Sequence, residues 1–593
     1  MIKNQKIRSV KMKKYFLSLV AILLSFAMFC SIPNSDDVQR SFEKLRKFKV
    51  EEAKRKALLI EKLKAKEKSS YKEKQPIDML HYDFDLKINP YNKYIGGTVT
   101  LTFKSEASIS SLNFSLHKKL KLIGAKFDDL AASVKRNKDD FMVQFPSAIP
   151  SGTTHKIAIE YDGEPQTTGS LGGGLFITDH NGVPCATSLS EPFEAYAWIP
   201  IIDEVSDKFT ANINLTVPSD MVGASNGVLV DTVDNGDGFK TYKWQENYPI
   251  SAYLISANVT NYDSFEDSYT SLDGQKTMPI KYFVYPEHLD AAQSNFQKVP
   301  LMITLYSNYA GEYPFIDEKY GMVEFPWGGG MEHQTLTSMG DYFIGYDVYY
   351  NNLIYAHELS HQWFGDSVTC GTWHDIWLNE GFATYFEVLW FAYEYSNTGV
   401  TLGDIFSNYY DDGSVNGYLK GSVYVQNENK PFADTGAVYD KGGWVLYMLQ
   451  NVMGNDKFWQ AMNLYRNRYN FSNAVTSDFQ SVCEEVYGDS LQWFFDEWVY
   501  TKKRPVYSFS YSTTPSMLNI SIAQKQKHKI ANRTDKSDVY IMPIEVTVYY
   551  DDGSDEVVTL WNDEREQNFE IPVSKVVSNV VFDKNHKILK VVK

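Results

Sequence analysis

The sequence predicts a multidomain α+β protein: an N-terminal antiparallel β domain, a mostly helical middle domain and a C-terminal β-sandwich. Three observations carry that expectation. At 593 residues the chain is longer than one hydrophobic core usually serves, and a composition 43% hydrophobic with 41 tyrosines supplies material for several. The spacing of apolar residues runs at two, changes to a helical period, then returns to two. Turn signals such as "SNG" and "DNGDG" punctuate the first β region.

Residues 1–30 read as a signal peptide or membrane anchor. "MIKNQKIRSVKMKK" is basic, "YFLSLVAILLSFAMF" is a 15-residue apolar run, and "CSIPNSDD" turns polar. That order matches a secretory signal, with an apolar run too short to span a bilayer comfortably. No A-x-A cleavage site stands out. Cys30 would suit lipid attachment, but bulky Phe29 before it fits that reading badly. Cleaved signal, lipid anchor and retained anchor all export the chain and leave room for membrane association.

Residues 31–76 are rich in Lys and Glu, with Phe42, Leu45, Ala53, Ala57, Ile60 and Leu63 at roughly helical spacing. The apolar stripe is thin, so a solvated helical stalk or linker is the plainer reading than a coiled coil. In 77–265, "HYDFDLKI" and "GTVTLTF" alternate apolar and polar residues, as do later runs such as "ANINLTVP". Helical patterns dominate 266–504, including "LIYAHELSHQWFG", "NEGFATYFEVLWFAYEY" and "DKGGWVLYMLQNVMG". Alternation returns in 505–593 with "VYSFSYS", "LNISIAQ" and "VYIMPIEVTVYYDDG".

The formal charge is −16, and six positive charges (Lys3, Lys6, Arg8, Lys11, Lys13, Lys14) precede the apolar run, so the remainder carries −22. Such a body is a poor polyanion binder, which excludes nucleic acid as a partner. The four cysteines, Cys30, Cys185, Cys370 and Cys483, form no CxxC pair and imply no disulfide framework.

"HELSH" places His357 and His361 four residues apart, on one face of a helix. Two imidazoles from one rigid turn lower the entropic cost of assembling a zinc site. Glu358 points about 100° round the helix, where it reaches a water as general base rather than ligating. A lone motif is equally compatible with a buried helix carrying two hydrogen-bonded histidines. A catalytic zinc needs a third protein ligand, and Glu380 in "WLNEGFATYFE" follows His361 with 18 residues between them, on the next helical segment. Asp366 and Asp375 are candidates either for hydrogen-bonding the ligand imidazoles or for capping loops.

Together "HELSHQWFGD" and "WLNEGFATYFE" resemble the M1 family of zinc aminopeptidases, gluzincins with HExxH-x18-E. "WGGGMEHQT" (327–335) resembles the family's GAMEN motif and "VYDKGG" (438–443) its Tyr-x-Lys-Gly segment. "SEPFEAYAWIPIIDE" (190–204) and "FFDEWVYTKKRPVY" resemble further family segments, in family order. The resemblance implies an N-terminal β-saddle, a thermolysin-like catalytic domain and a β-sandwich tail. It implies one Zn2+ per chain held by His357, His361 and Glu380, with Glu358 activating the water. Tyr439 would donate to the oxyanion, and Glu332 and Glu191 would grip the free α-ammonium of a peptide substrate. Gly329, Gly330 and Met331 would offer an edge strand to the substrate main chain.

This chain departs from the pattern in several places. His333 replaces the Asn of GAMEN, Gly330 replaces its Ala, and Leu189 stands where a Gln commonly precedes the N-domain glutamate. His333 is expected to hydrogen-bond the substrate or its own loop, with a role as a further metal-proximal imidazole as the alternative. The implied activity is zinc-dependent removal of N-terminal amino acids. Competing readings are a thermolysin-type endopeptidase, the epoxide-hydrolysing branch with its Gly-Gly-Met-Glu loop, and a non-enzymatic surface protein with a relict site.

Overall fold

The computed structural model describes residues 74–168, 172–345, 348–409, 418–533 and 538–593. The expected signal or anchor, with Cys30, and nearly all of the expected stalk lie outside the described residues. Among the described residues no helix is long and apolar enough to cross a membrane.

The N-terminal region is built from sheets. Ile77–Asn89 buries Tyr82, Phe84, Leu86 and Ile88 on one face, as its alternation demands. It pairs antiparallel with Tyr94–Ser105, and within that strand Gly97 (φ 150°), opposite Leu86, is needed because a Cβ there would lie 1.9 Å from the Asp85 carbonyl oxygen. On its other side it pairs parallel with Phe209–Pro218, so the eight-stranded sheet is mixed rather than purely antiparallel. The chain between those two strands is long enough for the crossover that a parallel pair requires. A second sheet of five strands includes Val183–Leu189, whose end delivers the chain to Glu191.

The sheets change between Thr260 and Asp263. Asp263–Thr270 belongs to the next sheet, where it pairs with Thr277–Val284. That sheet continues through β1 (Tyr320–Phe325), β3 (Thr337–Gly340) and, at its edge, β2 (Gly330–Met331). All six residues of β1 are buried. A parallel strand covered on both faces shows no alternation, which is why period alone hid it within the helical region.

Helices α1 (Val348–Ser360), α2 (Trp377–Glu394) and α3 (Gly442–Met453) follow. Every residue of α2 from Trp377 to Phe391 is buried, the mark of a helix running through a core. The Tyr306 hydroxyl, shared between the carbonyls of Ala356 in α1 (3.2 Å) and Phe386 in α2 (3.0 Å), ties the two together. α2 meets α3 through glycines: a Cβ on Gly381 would lie 2.9 Å from the Gly442 Cα.

The tail forms a sandwich of a four-stranded and a three-stranded sheet, with Leu518, Ile520 and Ile522 buried on one and Ile544, Val546 and Val548 on the other. It docks on the helical domain through Trp498 against Tyr540 and through Glu497, which accepts from Arg533 and from the Ile541 amide.

Candidate metal centre

The i, i+4 spacing on α1 brings the rings of His357 and His361 to 5.0 Å between centroids. Each ring is oriented by its Nδ1: His357 faces Glu387 Oε2 at 3.3 Å, and His361 faces the Phe364 carbonyl at 3.1 Å. Gly365 (φ 144°) permits the second contact, since a Cβ there would sit 2.8 Å from His361 Nδ1. With Nδ1 donating, both Nε2 atoms present lone pairs to one point.

Glu380, on the first turn of α2, completes the set. Its Oε2 lies 3.3 Å from His357 Nε2 and 3.5 Å from His361 Nε2. Ligand atoms about 2.1 Å from a tetrahedral zinc stand about 3.4 Å apart, so two neutral imidazoles and a carboxylate at this separation fit that ion in kind and in spacing. Without a cation, burial disfavours charge on His357, yet Glu380 and Glu387 outweigh it and hold the imidazole up to about 10. Burial also works against the Glu380 carboxylate, but His361 and His357 hold it well below the usual carboxylate range.

Three more glutamates converge here. The ligating atoms of Glu332, Glu358 and His361, and those of Glu191, Glu332 and Glu380, lie within 4.8 Å of one another. Burial pushes Glu358 up to about 8 and raises Glu191 and Glu332, with neighbouring carboxylates adding to the shift on Glu191. Glu191 Oε1 and Glu332 Oε1 are buried without a hydrogen-bond partner. Buried acceptors left this way are costly, and a cationic donor between them would satisfy both.

The loop carrying Glu332 is fastened from several sides. β2 pairs with Met339 and Ser338 of β3 and ends the sheet, leaving its outer edge toward the site. A methyl group on Gly330 would sit 2.5 Å from the Glu358 carboxyl carbon, so glycine there brings the loop backbone directly against that carboxylate. Gly329 packs on the Trp327 ring, and Met331 is buried. His333 is buried and neutral, its imidazole pushed down to about 3, and its Nδ1 lies 2.8 Å from Ser338 Oγ. It fastens the loop and joins none of the converging ligand groups.

Tyr439 stacks on His357 at 5.9 Å and 11°, inside a single π-helical turn, Ala437–Lys441. Burial, then the charges of Glu380, Glu191 and Glu332, keep its phenol protonated. Asp366 and Asp375 do not touch the imidazoles. Asp366 accepts from Gln362 Nε2 at 2.7 Å, and Asp375 accepts from the Thr476 amide and hydroxyl, so of their two expected roles they fill the loop-fastening one. Glu387 takes the place beside His357.

Two domains of one known family coincide with this geometry. Residues 78–254 match the peptidase M1 N-terminal domain, and residues 295–498 match the peptidase family M1 domain. The chain belongs to peptidase family M1. Relatives include the glutamyl aminopeptidase of Rattus norvegicus (29% identical over 385 residues, 61% of this chain and 40% of that one). Aminopeptidase M1 of Arabidopsis thaliana is 31% identical over 353 residues, 56% of this chain and 38% of that one. The chain thus spans about 40% of the length of the curated relatives it matches. Among solved M1 structures, the zinc metallopeptidase of Deinococcus radiodurans superposes with a TM-score of 0.64 at 24% identity, covering 73% of this chain and 95% of that one. Legionella pneumophila aminopeptidase A in complex with aspartic acid superposes with a TM-score of 0.74 at 16% identity, covering 89% and 61%. The expected α+β architecture is therefore the M1 one.

Within this M1 site, sequence reasoning passed over Glu387 and Gln362. Glu387 is seven residues after Glu380, two turns along the same face of α2, a spacing that could have exposed it. Gln362 accepts from the Thr335 amide at 2.9 Å and donates to the Glu332 carbonyl at 3.3 Å, tying the loop to the end of α1. No sequence signal marks it.

Proposed function

We propose that this chain is a zinc-dependent aminopeptidase that removes N-terminal amino acids from peptides. One observation carries the reading: the unpartnered, buried Glu191 and Glu332 carboxylate oxygens stand beside the His357–His361–Glu380 set. Two carboxylates there favour a charged α-ammonium and place the first peptide bond next to the metal. Bound at His357, His361 and Glu380, zinc supplies Lewis acidity and draws the pKa of water toward about 7.

The remaining steps belong to the protein. Glu358 takes a proton from the attacking water and delivers it to the leaving amine, a task suited to a carboxyl held near neutrality. Tyr439 donates a hydrogen bond to the oxyanion. The main chain of Gly329, Gly330 and Met331, at an open sheet edge, aligns the substrate backbone as an added strand. An endopeptidase would need that end of the cleft open to further residues, and the paired glutamates argue against it. Export through the N-terminal segment, with membrane association where that segment is retained, gives access to extracytoplasmic peptides.

Glu332→Ala tests the assignment. It is expected to lower kcat/KM on free-amine aminoacyl reporters by about 100-fold or more, with far less effect on N-acetylated ones. Equal losses on both substrate types would rule out the ammonium anchor.

A further inference from the structure

Tyr439 rides on an unusual piece of backbone. The π-helical turn Ala437–Lys441 runs straight into α3, and a π turn carries one residue more than an α turn in each hydrogen-bonded ring. Something must hold that turn in register. Asp434 Oδ1 accepts from the Ala437 amide at its start, at 3.2 Å. At its end stands Lys441, which is fully buried. Its Nζ donates to the carbonyls of Gly421 (3.1 Å) and Thr501 (2.8 Å).

Thr501 is the residue that ends a second π-helical turn, Asp496–Tyr500. Its hydroxyl donates to the Asp496 carbonyl at 2.6 Å and accepts from the Ala531 amide of the tail region at 2.7 Å. The same turn presents Glu497 to Arg533 and to the Ile541 amide, and Asp496 to Asn532 at 3.0 Å. The loop holding Gly421 is tied to this turn as well, since the amides of Val423 and Tyr424 both donate to the Val499 carbonyl. Two π turns, one under Tyr439 and one under the tail sandwich, are thus bridged by a single buried lysine.

We propose that Lys441 is a positioning residue for Tyr439, and that through Thr501 it makes the docking of the tail domain part of the active-site geometry. The inference rests on Tyr439 acting as the oxyanion donor. A buried amine is costly unless its donors are matched, and two carbonyls from separate segments hold it only while both segments keep their places. A shift of the second turn therefore moves the end of the first, and with it a phenol whose hydrogen bond is useful only at one position.

The full-length, zinc-loaded protein tests this with aminoacyl p-nitroanilides. Lys441→Met is expected to lower kcat by about 10- to 100-fold, with KM changed less than about 3-fold and one zinc per chain retained. In a Tyr439→Phe background the same change should cost less than about 2-fold, because its effect passes through the missing hydroxyl. Losses that multiply would overturn the proposal. A Tyr439→Phe enzyme as fast as the parent would instead remove the oxyanion reading, and this proposal with it. Should Lys441→Met fail to fold, Thr501→Val reads the tail end of the link, keeping the carbonyl that Lys441 holds while removing the hydroxyl that joins Asp496 to Ala531. It should lower kcat by about 3- to 10-fold, while Thr501→Ser stays within about 2-fold of the parent. Thr501→Val at the parental rate would cut the tail out of the argument.

Discussion

Glu358 shows how much one position can carry. It is next to a ligand in sequence yet off the ligating face, and burial among carboxylates pushes it up to about 8. Glu358→Gln keeps the shape and removes the base, so kcat should fall by about 100- to 10,000-fold while metal analysis still finds one zinc per chain. Parental turnover in that variant would refute the assignment. His357 makes a second expectation. In the metal-free protein Glu380 and Glu387 hold it protonated up to about 10, above its ordinary 6.5, so the stability this gives is full below pH 6.5 and lost as pH rises toward 10. Zinc needs the neutral ring, so loading at pH 7 must expel a proton, and affinity should rise about tenfold per pH unit for each proton displaced. Calorimetry in buffers of different ionisation heat checks this, and a buffer-independent heat would contradict it. At this scale the convergence of His357, His361 and Glu380 was legible in the sequence because their spacing is local or lies on helix starts. Glu387 is marked only by its spacing from Glu380, and Gln362 by nothing local, because a supporting residue has no motif of its own.

Among the elements, the crossing of α2 and α3 sets the distance between Glu380 and Tyr439. Gly381 and Gly442 meet there backbone to backbone, with no room for a methyl group. Replacing glycine by alanine inside an exposed helix ordinarily gains about 1 kcal/mol. Here the sign should reverse. Gly381→Ala is expected to destabilise by about 1–3 kcal/mol, read as a lower urea midpoint at unchanged slope, because the methyl forces two packed helices apart. A stabilised variant would show that the contact yields. Helices α1, α2 and α3 were all visible as apolar periodicity. β1, β2 and β3 were not, since a strand buried on both faces and a two-residue edge strand give no alternation to read.

At the scale of the molecule, the site belongs to neither domain alone. Glu191 follows directly on an N-domain strand, and Lys208 of that domain donates to the carbonyls of Asp366 (2.6 Å) and Ser367 (3.1 Å) just past the helix of His357 and His361. Burial raises Glu191, Glu332 and Glu358 away from their charged forms once the cation is gone, so the metal should stabilise the whole assembly. Free zinc at 100 times its dissociation constant is expected to add about 2.7 kcal/mol, seen as a thermal midpoint that falls with chelator and returns with zinc. A midpoint indifferent to chelator would contradict the metal assignment. The α+β architecture and the M1 resemblance were readable from residues alone, because each rests on neighbours within a few turns. Only the tertiary structure placed Glu191 within reach of Glu332, set the glycine contact under Tyr439 and joined the two π turns through Lys441. Those pairings link residues tens to hundreds of positions apart, and local spacing holds no record of distances that packing alone creates.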